Sequence, residues 1–231
     1  MRSLLKFILA LTVAALLMMV FRATVATVYE VEGDAMRPDY VRGDRVLVNR
    51  WSYGLRTGGS PLFAYGRWAA SPVEKGDLAV FNDPCDTLRR MAARRVAIGY
   101  CTGVPGDTIK VADAAFVLPG RKRNVRVTQA NMRLLCHLYK AYEGRNAAIW
   151  GGRLTVDGEP VGCASFTKDY YWFGPMPRKA VQGRTFSGIV PEDHVIGRAV
   201  MLIYSADPGE PFYDCLRPGR QLLVIRQGKE E

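Results

Sequence analysis

V-E-G-D-A-M-R-P-D-Y-V-R-G-D-R-V-L-V, from Val31 to Val48, holds a loop between two extended runs. V-Y-E-V-E (Val28 to Glu32) alternates as a strand does, Gly33 and Asp34 break it, and D-R-V-L-V-N (Asp44 to Asn49) alternates again. The pattern continues outward. G-D-L-A-V-F (Gly76 to Phe81) and A-R-R-V-A-I (Ala93 to Ile98) predict two more strands, and the turn P-G-D (Pro105 to Asp107) leads into the strand T-I-K-V. R-L-T-V-D-G-E-P-V predicts a hairpin turning at Asp157 and Gly158, and H-V-I-G-R-A-V-M-L-I-Y (His194 to Tyr204) a long buried strand. One stretch differs: from Thr128 to Tyr142, Met132, Leu135, Cys136 and Tyr139 fall at helical spacing behind Thr128 as a cap. A mostly β fold follows. The 13 prolines and 23 glycines, spread along 231 residues, agree with many short strands and turns.

A hydrophobic content of 48% is enough for a real core. The net charge of +10 invites a nucleic-acid reading, yet the basic residues form no long block and sit on no nucleic-acid motif. A surface close to anionic lipid explains the charge better, at roughly 1 kcal/mol of attraction per Lys or Arg. Phe7 to Phe21 is free of charge and bracketed by Lys6 and Arg22. Fifteen residues of helix reach only about 22 Å, short of a hydrocarbon core of roughly 30 Å. Snorkelling by Lys6 and Arg22, and the A-T-V-A-T-V-Y run that follows, can extend the span. With Arg2 and Lys6 ahead of it, this reads as a transmembrane anchor whose amino end stays cytoplasmic while the bulk of the chain is exported. A cleaved secretory signal is the competing reading, and Arg22, between the apolar run and the small residues near Thr24 and Ala26, argues against it.

Cys85, Cys101, Cys136, Cys163 and Cys215 have no C-x-x-C spacing, which speaks against a zinc or thioredoxin-like site. One loop disulfide is compatible with an exported domain, and the turn N-D-P-C-D makes Cys85 a candidate without naming its partner. No metal cluster and no phosphate-cradling loop is visible, so neither a metal nor a cofactor is expected. Trp51, Tyr53, Phe63, Tyr65 and Trp68 gather among glycines and basic residues. They read equally as a core plug and as a patch at the headgroup level of a bilayer. His137, on the helical stretch, and His194, in P-E-D-H, have no nucleophile beside them in sequence.

Taken in register, these stretches resemble bacterial signal peptidase I, a serine peptidase of family S26. The resemblance runs from the anchor to about Tyr204. It begins with G-D-A-M-R-P and passes through V-R-G-D-R-V-L-V-N, R-W-S-Y-G-L-R and K-G-D-L-A-V-F. It continues in C-T-G-V-P-G-D-T-I (Cys101 to Ile109) and ends in G-I-V-P-E-D-H-V-I-G-R-A (Gly188 to Ala199). It implies the signal peptidase I/LexA-like β fold with one amino-terminal transmembrane helix and a small inserted lobe carrying a helix. The divisions are an anchor over 1–27, a core over 28–110 and 165–205, the lobe over 111–164 and an extension over 206–231. It also implies a serine nucleophile, a neutral lysine base and an extended peptide bound by strand addition. The peptide would meet Gly33, Asp34, Ala35, Met36, Pro38, Ala97 and Ile98, while Gly43, Asp44, Pro105, Gly106, Asp107 and Arg184 hold the frame.

The resemblance fails where chemistry is needed. The nucleophile position is Ala35, which has no oxygen, and the oxyanion-donor position of some relatives is Gly33. Counting back from Pro105-Gly106-Asp107 puts the base position at Gly99 and the neighbouring arginine position at Tyr100. Arg94 and Arg95 cannot substitute, because a guanidinium does not deprotonate in proteins. The acid that orients the lysine is missing, with Gln182 in roughly its place. Loss of three coupled groups points to a pseudopeptidase on the extracytoplasmic side of the inner membrane. Its expected partners are membrane lipid and signal-peptide segments or an active signal peptidase, with no nucleic acid. Two alternatives stand beside it: an active signal peptidase using substitute groups, and a tethered structural subunit with a collapsed cleft.

Overall fold

The computed structural model describes residues 2–32, 36–37, 39–57, 66–87, 89, 91–111, 114–175, 188–207, 209–210 and 215–225. The chain is mostly β. Helices α1 (Arg2–Thr24) and α2 (Met132–Leu138) flank an antiparallel sheet of eight strands. These are β1 (Ala26–Glu30), β2 (Asp44–Asn49), β3 (Leu78–Asn82), β4 (Val96–Gly103), β5 (Tyr170–Gly174), β6 (Gly188–Pro191), β7 (Val195–Ser205) and β8 (Leu223–Val224). They run in the order β1-β2-β7-β3-β4-β5-β6, with β8 paired to β7. The expected strands are present, Asp44–Asn49 with the same ends and others with ends shifted by up to five residues, as the first (now Ala26–Glu30) and fourth (now Val96–Gly103) illustrate.

β3 lies mid-sheet and is buried at every position, which is why L-A-V-F is an unbroken apolar run. Its alternation sends Leu78 and Val80 into a cluster with Met36, Val46, Ile98 and Ala199. Ala79 and Phe81 go to the other face, with Tyr53, Cys101, Phe173 and Val195. β7 is long enough to pair with β2, β3 and β8, and register shifts along it bend the strand. Gly197 is required in that bend, since a Cβ there would lie 2.4 Å from the Asn49 carbonyl oxygen.

A third cluster, with Val125, Leu135, Leu138, Leu154 and Phe166 at its centre, packs α2 against the hairpin Ala147–Trp150/Arg153–Val156. The next turn falls at Asp157 (φ 52) and Gly158 (φ 91), the left-handed pair that a two-residue hairpin loop demands. α2 starts later than expected. Thr128 accepts from the Asn131 N–H while Asn131 Oδ1 accepts from the Thr128 N–H, so this pair builds the turn before the helix. The last turn widens into a π turn over Tyr139–Glu143 and stops at Gly144 (φ 65).

Two expectations are corrected. Among the described residues no helix is long and apolar enough to cross a membrane. The placed side chains of α1 that are free of charge run from Phe7 to Met19 and are all exposed. They cover about 20 Å of helix against a hydrocarbon core of about 30 Å. No loop disulfide forms either: all five cysteines are free, with Cys101 and Cys136 buried in apolar clusters.

Candidate functional site

The chain leaving β1 and the start of β4 face each other across a cavity of about 210 Å³. Tyr29 to Glu32 and Met36 line one side, Arg95 to Ile98 the other, with Val46, Val80 and Asp83 completing it. The floor is apolar because Val31, Met36, Val46, Val80 and Ile98 belong to one buried cluster. Glu30, Glu32, Asp83 and Arg95 supply the charge. Sequence reasoning missed Glu30, Glu32 and Asp83 and named Arg95 only to rule it out as a base, since no motif marks them and only the folded strands bring them together. Of the expected peptide contacts, Met36, Ala97 and Ile98 gather here, whereas Gly33, Asp34, Ala35 and Pro38 lie outside the described residues. Gln182 and Arg184 also lie outside them.

Gly99 is buried and pairs with Ala79, so it sits on the strand that borders the cavity without lining it. Strand alternation turns it to the face opposite Ile98. A Cβ at this position would lie 3.4 Å from Phe81 Cε1 and 3.4 Å from Phe173 Cβ. The two rings are in contact, with centroids 4.7 Å apart. Among the described residues the lining carries no serine, threonine or lysine. Lys75 is salt-bridged to Asp107 at 2.9 Å and Lys168 to Asp193 at 2.8 Å, so both ammonium groups are engaged elsewhere.

Among the described residues the outer edge of β4 is unpaired at this place. β5 pairs with β4 from Gly103 to Tyr100 and no further, while β3 pairs with its inner edge up to Val96. Among the described residues nothing pairs with the outer edge of Val96 to Ile98. An extended chain can add there through main-chain bonds alone.

The frame positions hold turns. Gly43 (φ 89) and Gly106 (φ 96) are left-handed, and Asp44 and Asp107 accept from the N–H groups of Val41 (2.9 Å) and Val104 (2.8 Å). Pro105 opens the second of these turns. Asp77 was missed as a site of consequence, although it stands in the K-G-D run. Its buried Oδ2 accepts from Tyr53 Oη (3.0 Å), Arg198 Nη2 (2.7 Å) and the Glu74 N–H (3.1 Å). Burial, then the charge of Asp77, raises the Tyr53 phenol, so it stays protonated and donates.

His194 is buried between Asp193 Oδ1 at 2.9 Å and Arg94 Nη1 at 2.6 Å, with Tyr142 edge-on to its ring. Burial lowers its pKa, outweighing the upward pull of Asp193. The carboxyl of Asp193 is raised by burial but lowered further by His194 and Lys168, to about 2. The imidazole is thus neutral, donating from Nδ1 and accepting at Nε2, and it is committed to holding Arg94. Among the described residues no group of three or more His, Cys, Asp or Glu side chains could hold a metal ion.

Comparison with known proteins gives a consistent result. The family model described as signal peptidase, peptidase S26, matches residues 4–204. Signal peptidase IB of Staphylococcus aureus is 26% identical over 134 residues, which are 57% of this chain and 57% of that protein. The chain therefore matches little more than half the length of that relative. Signal peptidase I of Bacillus amyloliquefaciens is 22% identical over 205 residues, 89% of this chain and 84% of that protein.

Proposed function

The chain belongs to the signal peptidase, peptidase S26 family, and from that premise we propose a membrane-anchored homologue of signal peptidase I that binds extended peptide without cleaving it. The observation that carries the reading is the cleft beside β4. The described lining offers no serine or threonine hydroxyl and no lysine amine, and the base position is a glycine turned toward Phe81 and Phe173. A nucleophilic mechanism needs an activated oxygen and a group to take its proton. Ala35 supplies no oxygen and Gly99 takes no proton. What would remain in a serine peptidase stripped of its dyad is about 10³–10⁴-fold over water, far below useful turnover.

Binding does not require those groups. The edge of Val96 to Ile98, unpaired among the described residues, offers main-chain donors and acceptors, and the apolar floor under Met36 and Ile98 accepts small side chains. Signal-peptide segments fit this chemistry, and the fold and division into core, lobe and extension follow the family. Exposed apolar side chains on every side of α1, from Leu4 and Phe7 to Met19, support contact of this helix with a bilayer. Pairing with an active signal peptidase would let such a protein present or sequester preproteins.

The test is cleavage of a preprotein by the purified full-length protein in lipid vesicles, beside the double variant Ala35→Ser, Gly99→Lys. The expected result is a silent wild type that still binds a signal peptide, with binding lost on Ile98→Arg. Cleavage by the wild type would overturn the reading. So would the absence of peptide binding by a folded wild type. Activity awakened in the double variant would add that the cleft is intact.

A further inference from the structure

The cleft beside β4 carries charge of the opposite sign to its protein. The chain has 32 Lys and Arg against 22 Asp and Glu. The described lining instead holds three carboxylates, Glu30, Glu32 and Asp83, to one guanidinium, Arg95. We infer that Glu32 is a specificity residue: the cleft takes extended peptide segments that bear a lysine or arginine beside small uncharged residues. The inference rests on the peptide-binding reading above.

Pairing singles out Glu32 among the four. Glu30 stands opposite Arg45 in the β1–β2 register and is ion-paired with it at 3.1 Å. Arg45 is itself held over the Tyr204 ring, 5.3 Å from its centroid. On the other wall the Asp83 N–H donates to the Arg95 carbonyl at 2.8 Å. That bond carries the β3–β4 ladder one step past Val96 and sets the two opposite charges on facing residues. Asp83 Oδ1 also accepts from the Cys85 N–H at 2.8 Å. Glu32 is left. It is exposed, and among the described residues its carboxylate has neither a hydrogen bond nor an ion pair.

Its place is fixed all the same. The Val31 N–H donates to the Asp44 carbonyl at 2.8 Å, and the Val31 carbonyl accepts from the Gly43 N–H at 3.0 Å. The Val31 side chain is buried in the cluster that floors the cleft. Glu32 therefore follows a pinned residue, on the wall across from Val96 to Ile98. A chain added to that strand edge lies between the two walls. A long cationic side chain can lay its apolar stem along the cleft and bring its head to the carboxylate. The field of the whole protein sharpens the choice. A net charge of +10 opposes a basic peptide on approach, and the acid-rich lining reverses that opposition inside the cleft.

The test uses the full-length protein in vesicles of phosphatidylcholine alone, whose headgroup carries no net charge. The probe is a short fluorescent alanine–threonine peptide with one lysine moved along it, beside the same set with glutamine, read by anisotropy. At one or two neighbouring positions lysine should bind about twofold to fivefold tighter than glutamine at low salt. The preference should vanish near 1 M salt, where the screening length is about 3 Å. Glu32→Gln should level the two sets, and Glu32→Lys should turn the preference toward a glutamate peptide. A folded wild type that binds both sets equally overturns this inference and leaves peptide binding standing. A lysine preference independent of position, or one that survives Glu32→Gln, overturns it as well. Binding of neither set removes the peptide-binding reading and this inference with it.

Discussion

At Gly99 a single missing side chain has two consequences, one chemical and one mechanical. The position offers no amine, and it lets Phe81 and Phe173 close on each other at 4.7 Å. Gly99→Ala should therefore be mild, since its Cβ makes ordinary contacts at 3.4 Å. Gly99→Lys should lower stability by about 1–3 kcal/mol from overpacking alone, and by more if the amine stays charged among the rings. Urea unfolding of the two variants checks the difference; equal midpoints would mean that the rings leave room for a base. Asp77 carries the opposite kind of dependence. Asp77→Ala removes the acceptor for Tyr53 and the counter-charge for Arg198 together, and a loss of about 3–5 kcal/mol is expected in the same assay.

Among the elements, the chain after β7 does more than extend the protein. Residues 215–225 return along the sheet, where β8 pairs with Met201 and Leu202 and Ile225 enters the core. Arg220 reaches the fully buried Asp44 and the Asp39 carbonyl, and Arg217 reaches the Arg42 carbonyl. This stretch lies beyond the matched residues 4–204, yet it braces the turn that enters β2. Arg220→Ala would leave Asp44 buried without its counter-charge and should destabilise by about 3–5 kcal/mol, read as a lower denaturation midpoint. Gly106→Ala tests the other turn. At φ +96 an L side chain is strained, and the new Cβ would run into the Arg123 guanidinium, so a loss of at least about 1 kcal/mol is expected.

Across the whole molecule, His194 ties three regions together: Arg94 ahead of β4, Asp193 ahead of β7, and Tyr142 of the π turn. Lys168 approaches Asp193, and Arg56 adds positive charge near the ring. The folded protein binds the His194 proton more weakly than the unfolded chain, whose value is near 6.5. Stability from this residue is complete above that pH and falls as acid protonates the unfolded chain first. Asp193 is depressed from 3.8 to about 2, so its contribution holds above 3.8 and is lost as pH falls through about 2. Unfolding midpoints at pH 8 and pH 5.5 should therefore differ, and His194→Gln should flatten the difference. An unchanged slope in that variant would assign the pH dependence elsewhere.

The sequence by itself determined the mostly β architecture, because alternation in D-R-V-L-V-N, the two-sided apolar run L-A-V-F and the D-G turn are local signals that the sheet and hairpin obey. Its motif spacing also led to the proposal that Ala35 and Gly99 stand at the positions where family chemistry requires oxygen and amine. Tertiary structure alone decided what surrounds Gly99. That Gly99 turns away from Ile98 toward two rings depends on strand pairing between residues far apart in the chain. So does the split of one aromatic run into a buried Tyr53 and an exposed tryptophan pair. The late start of α2 has the same kind of cause on a shorter scale, since Thr128 and Asn131 satisfy one another's N–H groups before the helix begins. Periodicity records which residues share a face; which face meets which partner is set only when the strands close on each other.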